Sequence, residues 1–217
     1  MKIKHIFACL VISLGLIVSY AASVNADSGM IQTYENWPTE LKQYTKEECD
    51  RYDVDYSLVL AIIYNESRFQ SGLTHLNSNG TTDYGLMQVN EVNFDFLRET
   101  VGIKSMRDVL DDKTGIRCGI ELLAYHKDFT GDDSSALLRY QIGAGKYRKY
   151  LQRGRYTNET HSRVLTYQNE FAEYLKRIEQ ASIDSAEDRM SSLFHRWSKI
   201  HLICWCGAMA AQLICNQ

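Results

Sequence analysis

Proline is nearly absent from this chain, with one in 217 residues, and glycine is modest at 13. Disordered, linker-like and collagen-like chains are rich in one or both, so those classes are excluded. A basic excess is also missing. Lys and Arg number 24 against 27 Asp and Glu, a formal charge of −3, which excludes a general electrostatic nucleic-acid binder. Six cysteines are too few for a disulfide scaffold, and none are paired at zinc-ligand spacing, so no metal is expected. No segment sustains the period-two alternation of a half-buried strand. What remains is an ordinary globular composition, 45% apolar and 24% charged, long enough for one domain with a core and terminal additions.

Both ends depart from that composition. Lys2 and Lys4 precede an apolar run from Ile6 to about Ala22, and Val24-Asn25-Ala26 forms a small-residue site before Asp27. This reads as a secretory signal over residues 1–26. An uncleaved anchor is the alternative, but the run sits at the short limit for a spanning helix. Cleavage predicts a secreted, extracytoplasmic protein of the cell envelope with a formal charge of −5. At the other end, residues 184–217 form a tail whose last part, IHLICWCGAMAAQLIC from Ile200 to Cys215, is apolar and holds three cysteines. A docked helix, a membrane-surface segment and an accidental extension of the frame all fit it, so membrane contact through the tail stays open. Cys204 and Cys206 lack a second ligand pair.

Between the ends the helical periodicities are strong. Residues 27–37 read as an exposed leader. Helices are expected from Pro38-Thr39 to Tyr52, with a restart at the Thr45–Glu48 capping box, and from Tyr56 to Phe69 behind Asp55 as N-cap. Further helices are expected over 92–100, 104–110, 113–129, 134–142 and from His161 to Arg177 or Ile183. Gly72, Asn77, Asn79 and Gly80 mark a long loop or small hairpin over 70–85. The fold class is mainly α with a loop-rich insertion, in a domain spanning residues 38–183.

One residue breaks the pattern. On the 56–69 helix, Val59, Ile62, Ile63 and Phe69 share a stripe, and Glu66 falls on it. A carboxylate there must pair with a cation, snorkel out at the helix end, or stay protonated at a raised pKa. The last suits a general acid, although structural glutamates occupy such positions too. Ser67 follows it. About 20 residues on, Asp83-Tyr84-Gly85-Leu86-Met87-Gln88-Val89-Asn90 offers a glycine for close backbone approach, an apolar contact and an amide.

Glu66-Ser67, Gly85-Leu86-Met87-Gln88, Gly119 with Ile120, Leu122 and Leu123, and Tyr140-Gln141-Ile142-Gly143 follow in order over roughly residues 40–180. Together they resemble the soluble lytic transglycosylase (SLT, goose-lysozyme-like) domain, closest to the VirB1-like wall-lytic enzymes of secretion and conjugation systems. The resemblance implies a lysozyme-like helical fold with a groove for peptidoglycan strands. Glu66 would be the catalytic acid; Ser67, Met87, Gln88, Tyr140 and Gln141 would contact substrate; no cofactor or metal would be needed; a secretion or conjugation apparatus would be a candidate partner. Two positions depart from the family pattern. Gln141 stands where the family has Asn after the tyrosine. No tyrosine directly precedes Arg163-Val164, leaving Tyr156, Tyr167 or His161 as substitutes.

The implied reaction needs one carboxyl group. Glu66 would protonate the glycosidic oxygen between N-acetylmuramic acid and N-acetylglucosamine, then take the proton of the C6 hydroxyl as a 1,6-anhydro ring closes. A hydrolytic muramidase on the same fold would need a second carboxylate, with Asp83, Glu91 and Asp95 the candidates by proximity. A non-catalytic wall-binding or assembly protein is the third reading. Cys49 and Cys118 both fall on or beside apolar faces, and either a bridge or two buried thiols would fit a secreted chain.

Overall fold

The computed structural model describes residues 29–153 and 159–214, with side chains described as far as residue 193. The expected signal segment 1–26, Tyr156, Cys215 and the side chains of Cys204 and Cys206 lie outside the described residues.

Seven helices and a small sheet appear in chain order. They are α1 (residues 29–36), α2 (Thr39–Tyr52), α3 (Tyr56–Ser67), β1 (Thr74–Leu76), β2 (Thr82–Tyr84) and β3 (Val89–Asn90), then α4 (Phe94–Thr100), α5 (Asp112–Thr130), α6 (Asp133–Arg153) and α7 (Glu159–Ile214). Short 3-10 turns at Glu91–Asn93 and Met106–Leu110 flank α4. The expected α-helix over 104–110 is therefore a 3-10 turn. The chain clusters into two units, one through Ala172 and one from Glu173.

α3 is the centre of the first unit. Leu58, Val59, Leu60, Ala61, Ile62 and Ile63 are each at most 1% exposed. The helix is thus buried on every side, not along the single stripe expected, which is what an apolar sequence around the whole circumference requires. Asp55 caps it, accepting from the Leu58 N–H at 3.0 Å, as its position predicted. Arg68 and Phe69 take left-handed backbone angles, φ 53° and 60°, and stop the helix directly after Ser67.

Residues 29–37 are not an exposed leader. Met30, Tyr34 and Trp37 are buried, and Trp37 packs on Phe69 with ring centroids 4.9 Å apart. Phe171 of α7 meets Tyr34 at 5.6 Å and Phe69 at 6.2 Å. Large apolar rings are driven out of water when rings from distant parts of the chain supply a partner surface. The compact unit therefore begins before residue 38 and ends near 172, not 183. The capping box at Thr45 is also not formed: Thr45 lies inside an unbroken α2, its hydroxyl donating to the Leu41 carbonyl at 2.7 Å.

The loop-rich insertion is a three-stranded antiparallel sheet, ordered β1-β2-β3, with Leu76 opposite Thr82 and Asp83 opposite Asn90. After β2 the chain turns sharply at Gly85, whose φ is +73° and where a Cβ would lie 2.4 Å from the Val109 carbonyl oxygen. Only glycine satisfies both the angle and the approach. The turn carries Met87 inward, where it is fully buried against Gly119 of α5. α6 is broken at Gly143, at φ 77° and ψ 157°, so its helical first part ends just after Tyr140-Gln141-Ile142.

Cys49 and Cys118 are both buried and free, so no bridge joins α2 to α5. Burial pushes each thiol up to about 12, which leaves both protonated and unreactive. In the second unit the described side chains from 181 to 193 are exposed, including Met190 and Leu193. Among the described residues no helix is long and apolar enough to cross a membrane.

Candidate active site

A cleft of about 1060 Å³ opens in the first unit. The last turn of α3 brings Asn65 and Glu66 to it, β2 and β3 bring Asp83 and Asn90, the turn between them brings Gln88, and α5 brings Tyr125 and His126. Arg139, Tyr140 and Gln141 arrive from α6, and Arg163 from the start of α7.

Glu66 is half-buried. Its Oε1 accepts from the Asn65 amide at 2.9 Å, and Asn65 Oδ1 in turn accepts from Arg163 Nε at 3.1 Å. No described cation lies within ion-pair distance of the Glu66 carboxylate. Burial raises its pKa above the ordinary range, and the Asp83 charge adds to this. The Asn65 hydrogen bond and the more remote Arg163 and Arg68 charges only partly offset it. Of the three ways open to a glutamate at this position, the one realised is a carboxyl biased toward its protonated form.

The other sequence-selected residues divide. Gln88 lines the cleft at φ 48°, its amide donating to the Gly85 carbonyl at 2.8 Å. Tyr140 and Gln141 also line it. The Tyr140 hydroxyl donates to the Met87 carbonyl at 2.8 Å. Burial, then the Glu66 and Asp83 charges, lift its pKa well above that of a free phenol, so it stays a neutral donor. Two residues stand outside the cleft lining. Ser67 is 3% exposed and its hydroxyl is committed to the Ile63 carbonyl at 3.0 Å, so it fixes the helix end and does not line the cleft. Met87 is likewise absent from the lining, its side chain buried and its carbonyl held by Tyr140.

Among the candidate second carboxylates, Asp83 lines the cleft and Glu91 and Asp95 do not. Asp83 accepts from Asn77 Nδ2 at 2.9 Å and from Asn90 Nδ2 at 2.6 Å, one amide on each oxygen. Neither described substitute for the late tyrosine lines the cleft. Tyr167 packs edge-on against Tyr64 at 5.0 Å, and His161 meets the Ser134 hydroxyl at 3.2 Å. Among the described residues no cluster of His, Cys, Asp or Glu is placed to hold a metal ion.

Sequence reasoning missed Asn65, Asn77, Asn90, Tyr125, His126 and Arg139, and used Arg163 only as a landmark. One of these carried a readable signal. Arg139 follows Ala136-Leu137-Leu138 on the buried side of α6 and is itself only 7% exposed, an out-of-pattern charge comparable with Glu66.

The fold recurs in solved structures. Lytic transglycosylase Slt of Pseudomonas aeruginosa, solved as an inactive mutant, superposes with a TM-score of 0.54 at 22% identity, over 64% of this chain and 25% of that one. The 70 kDa soluble lytic transglycosylase SLT70 of Escherichia coli gives 0.54 and 22%, over 66% of this chain and 26% of that one. The chain thus spans about a quarter of each, and its fold is the lysozyme-like fold of lytic transglycosylases. Protein IpgF of Shigella flexneri is 28% identical over 129 residues, covering 59% of this chain and 84% of that protein. The family model of the Transglycosylase SLT domain matches residues 43–162, and the chain belongs to that family.

Proposed function

We propose that this protein is a peptidoglycan lytic transglycosylase, cutting the β-1,4 bond between N-acetylmuramic acid and N-acetylglucosamine with Glu66 as acid and then base. The observation that carries the proposal is the half-buried Glu66 carboxyl in a polar cleft, its pKa raised by burial and its orientation set by Asn65. A carboxyl must hold a proton to donate it, and burial moves the Glu66 pKa in that direction.

In the proposed sequence Glu66 gives its proton to the glycosidic oxygen as the bond from C1 to that oxygen breaks. The carbonyl oxygen of the muramic acid N-acetyl group stabilises the positive charge at C1. The Glu66 carboxylate then removes the proton of the C6 hydroxyl while O6 bonds to C1. The acid is regenerated, a 1,6-anhydro end is formed, and no water is consumed. Tyr140, donating to the Met87 carbonyl, holds the 85–88 turn that presents the Gln88 amide to the glycan. A protein of this kind acts outside the cytoplasm on the wall, consistent with the signal-like N-terminus. The VirB1-like sequence pattern makes a secretion or conjugation apparatus the candidate setting.

Hydrolysis by Asp83-activated water is the less favoured reading, because both Asp83 oxygens already accept amide hydrogens that hold the sheet together. Mass spectrometry of muropeptides released from purified sacculi separates the two. The expected products are lighter by one water and end in 1,6-anhydro rings, and Glu66→Gln releases none. Reducing muramic acid ends would establish a muramidase instead, and activity retained in Glu66→Gln would remove Glu66 from the reaction.

A further inference from the structure

The cleft lining contains a cation that the proposed chemistry does not use. Arg139 is 7% exposed, yet no carboxylate lies within ion-pair distance of it among the described residues. Its guanidinium stacks over Phe129 at 4.3 Å and Tyr125 at 5.1 Å. Among the described residues the guanidinium makes one hydrogen bond, from Nη1 to His126 Nδ1 at 2.6 Å. An arginine can only donate, so Nδ1 of His126 must be the acceptor and the ring proton must sit on Nε2. His126 accordingly presents a second N–H. Burial and the neighbouring guanidinium push its pKa down to about 4, which keeps it in this neutral tautomer. Arg139 and His126 both line the cleft.

A buried guanidinium without a counter-charge is costly, and a ligand carboxylate would repair the deficit with charge-assisted hydrogen bonds, which a neutral acceptor would do far less well. The cleft as a whole has the matching sign. Arg139, Lys146 and Arg163 line it against Glu66 and Asp83, although the chain is net negative. In peptidoglycan the lactyl carboxyl of muramic acid is taken up in the amide to the peptide stem, so the free carboxylates belong to the stem.

We infer that Arg139 and His126 form a carboxylate-recognition point in the cleft wall, selecting glycan strands whose peptide stems carry free carboxylates. This rests on the wall-glycan reading of the cleft and adds a specificity determinant to it. Arg139 anchors the stem, and His126 fixes the guanidinium plane while adding its own Nε2–H donor.

The test is binding, measured by calorimetry on the otherwise intact Glu66→Gln protein so that turnover does not interfere. Two ligands are compared: soluble peptide-bearing glycan strands, and the same strands with their stem carboxylates converted to carboxamides. Tighter binding of the carboxylate form by about tenfold or more is expected, the value of a charge-assisted hydrogen bond. Adding Arg139→Gln should bring both ligands to the carboxamide level, whereas Lys104→Gln should leave the preference in place, since Lys104 is exposed and outside the cleft lining. Equal binding of the two ligands by the Arg139-containing protein would overturn the inference without any variant having to fold. An Arg139→Gln protein that weakened both ligands equally would also overturn it, reducing Arg139 to a packing role. The preference and the cleavage products are independent readouts: a protein that forms anhydro ends without discriminating sinks only this inference, and one that discriminates without cleaving sinks only the catalytic proposal.

Discussion

Gly119→Ala should destabilise a helix that alanine would ordinarily strengthen. A Cβ at position 119 would sit 2.3 Å from Met87 Sδ and 2.8 Å from both Met87 Cβ and Cε. Comfortable carbon contacts lie near 3.5–4.0 Å, so Met87 has to retreat by about 1 Å. Rotating the thioether does not suffice, because Met87 Cβ is itself too close. The backbone of the turn must move, yet Gly85 is packed under the Val109 carbonyl and Tyr140 holds the Met87 carbonyl. Overpacking of this kind costs about 1–3 kcal/mol. Against it stands the gain of about 1 kcal/mol from replacing glycine by alanine inside a helix. The net expectation is a loss of up to about 2 kcal/mol, or a fall in Tm of up to roughly 8 °C for a chain of this size. Thermal unfolding followed by near-ultraviolet dichroism reads it. Adding Met87→Ala to the variant should return part of the loss, a coupling a double-mutant cycle measures. Gly145→Ala is the control: it lies in α6 with open space around its Cβ position and should raise stability by about 0.5–1 kcal/mol. An increase in Tm for Gly119→Ala matching that of Gly145→Ala would refute the packing argument.

Two further outcomes follow from the electrostatics. The folded-state pKa of Glu66 is raised, so its contribution to stability is intact below the unfolded value of about 4.3 and is lost as pH rises through the folded value. Glu66→Gln should therefore match the parent protein in acid and become the more stable of the two toward neutral pH; a difference independent of pH in urea titrations would contradict the burial of this carboxyl. Peptide mapping under non-reducing conditions should find Cys49 and Cys118 reduced. Both should resist alkylation in the folded protein and react fully in denaturant, and a Cys49–Cys118 disulfide-linked peptide would contradict the packing of α2 on α5.

What could be read from the sequence was whatever depends on nearest neighbours along the chain. The Asp55 cap, the bounds of α2 and α5 within a residue or two, and the break in helical pattern over 70–85 are local signals. The failures are non-local. The 29–37 segment looks polar enough to be a leader, and only the ring cluster of Phe69 and Phe171, contributed from far along the chain, buries Tyr34 and Trp37. Ser67 looks like a site residue because it adjoins Glu66, but neighbours on a helix point about 100° apart, and its hydroxyl turns back to Ile63. Arg139 and His126 are thirteen positions apart on separate helices, so nothing in either local pattern announces their hydrogen bond.

The position of Arg163 shows why charge arrangement is the least legible layer. A cation in direct contact with Glu66 would lower the carboxyl pKa and remove the acid that the proposed reaction needs. A cleft with no cation near Glu66 would leave the carboxylate formed after proton transfer with little stabilisation in a half-buried place. Asn65 stands between the two groups, taking the Arg163 hydrogen on its carbonyl oxygen and giving its amide hydrogen to Glu66. The arginine is thereby held one amide away, near enough to moderate the charge and too far to pair with it. A related arrangement holds at Arg139, where His126 occupies one edge of the guanidinium without neutralising it. In both places a neutral side chain takes a hydrogen bond from a cation without cancelling its charge. The separation between Arg163 and Glu66 is a property of three side chains from two elements, α3 and α7, so it exists only once the chain has folded.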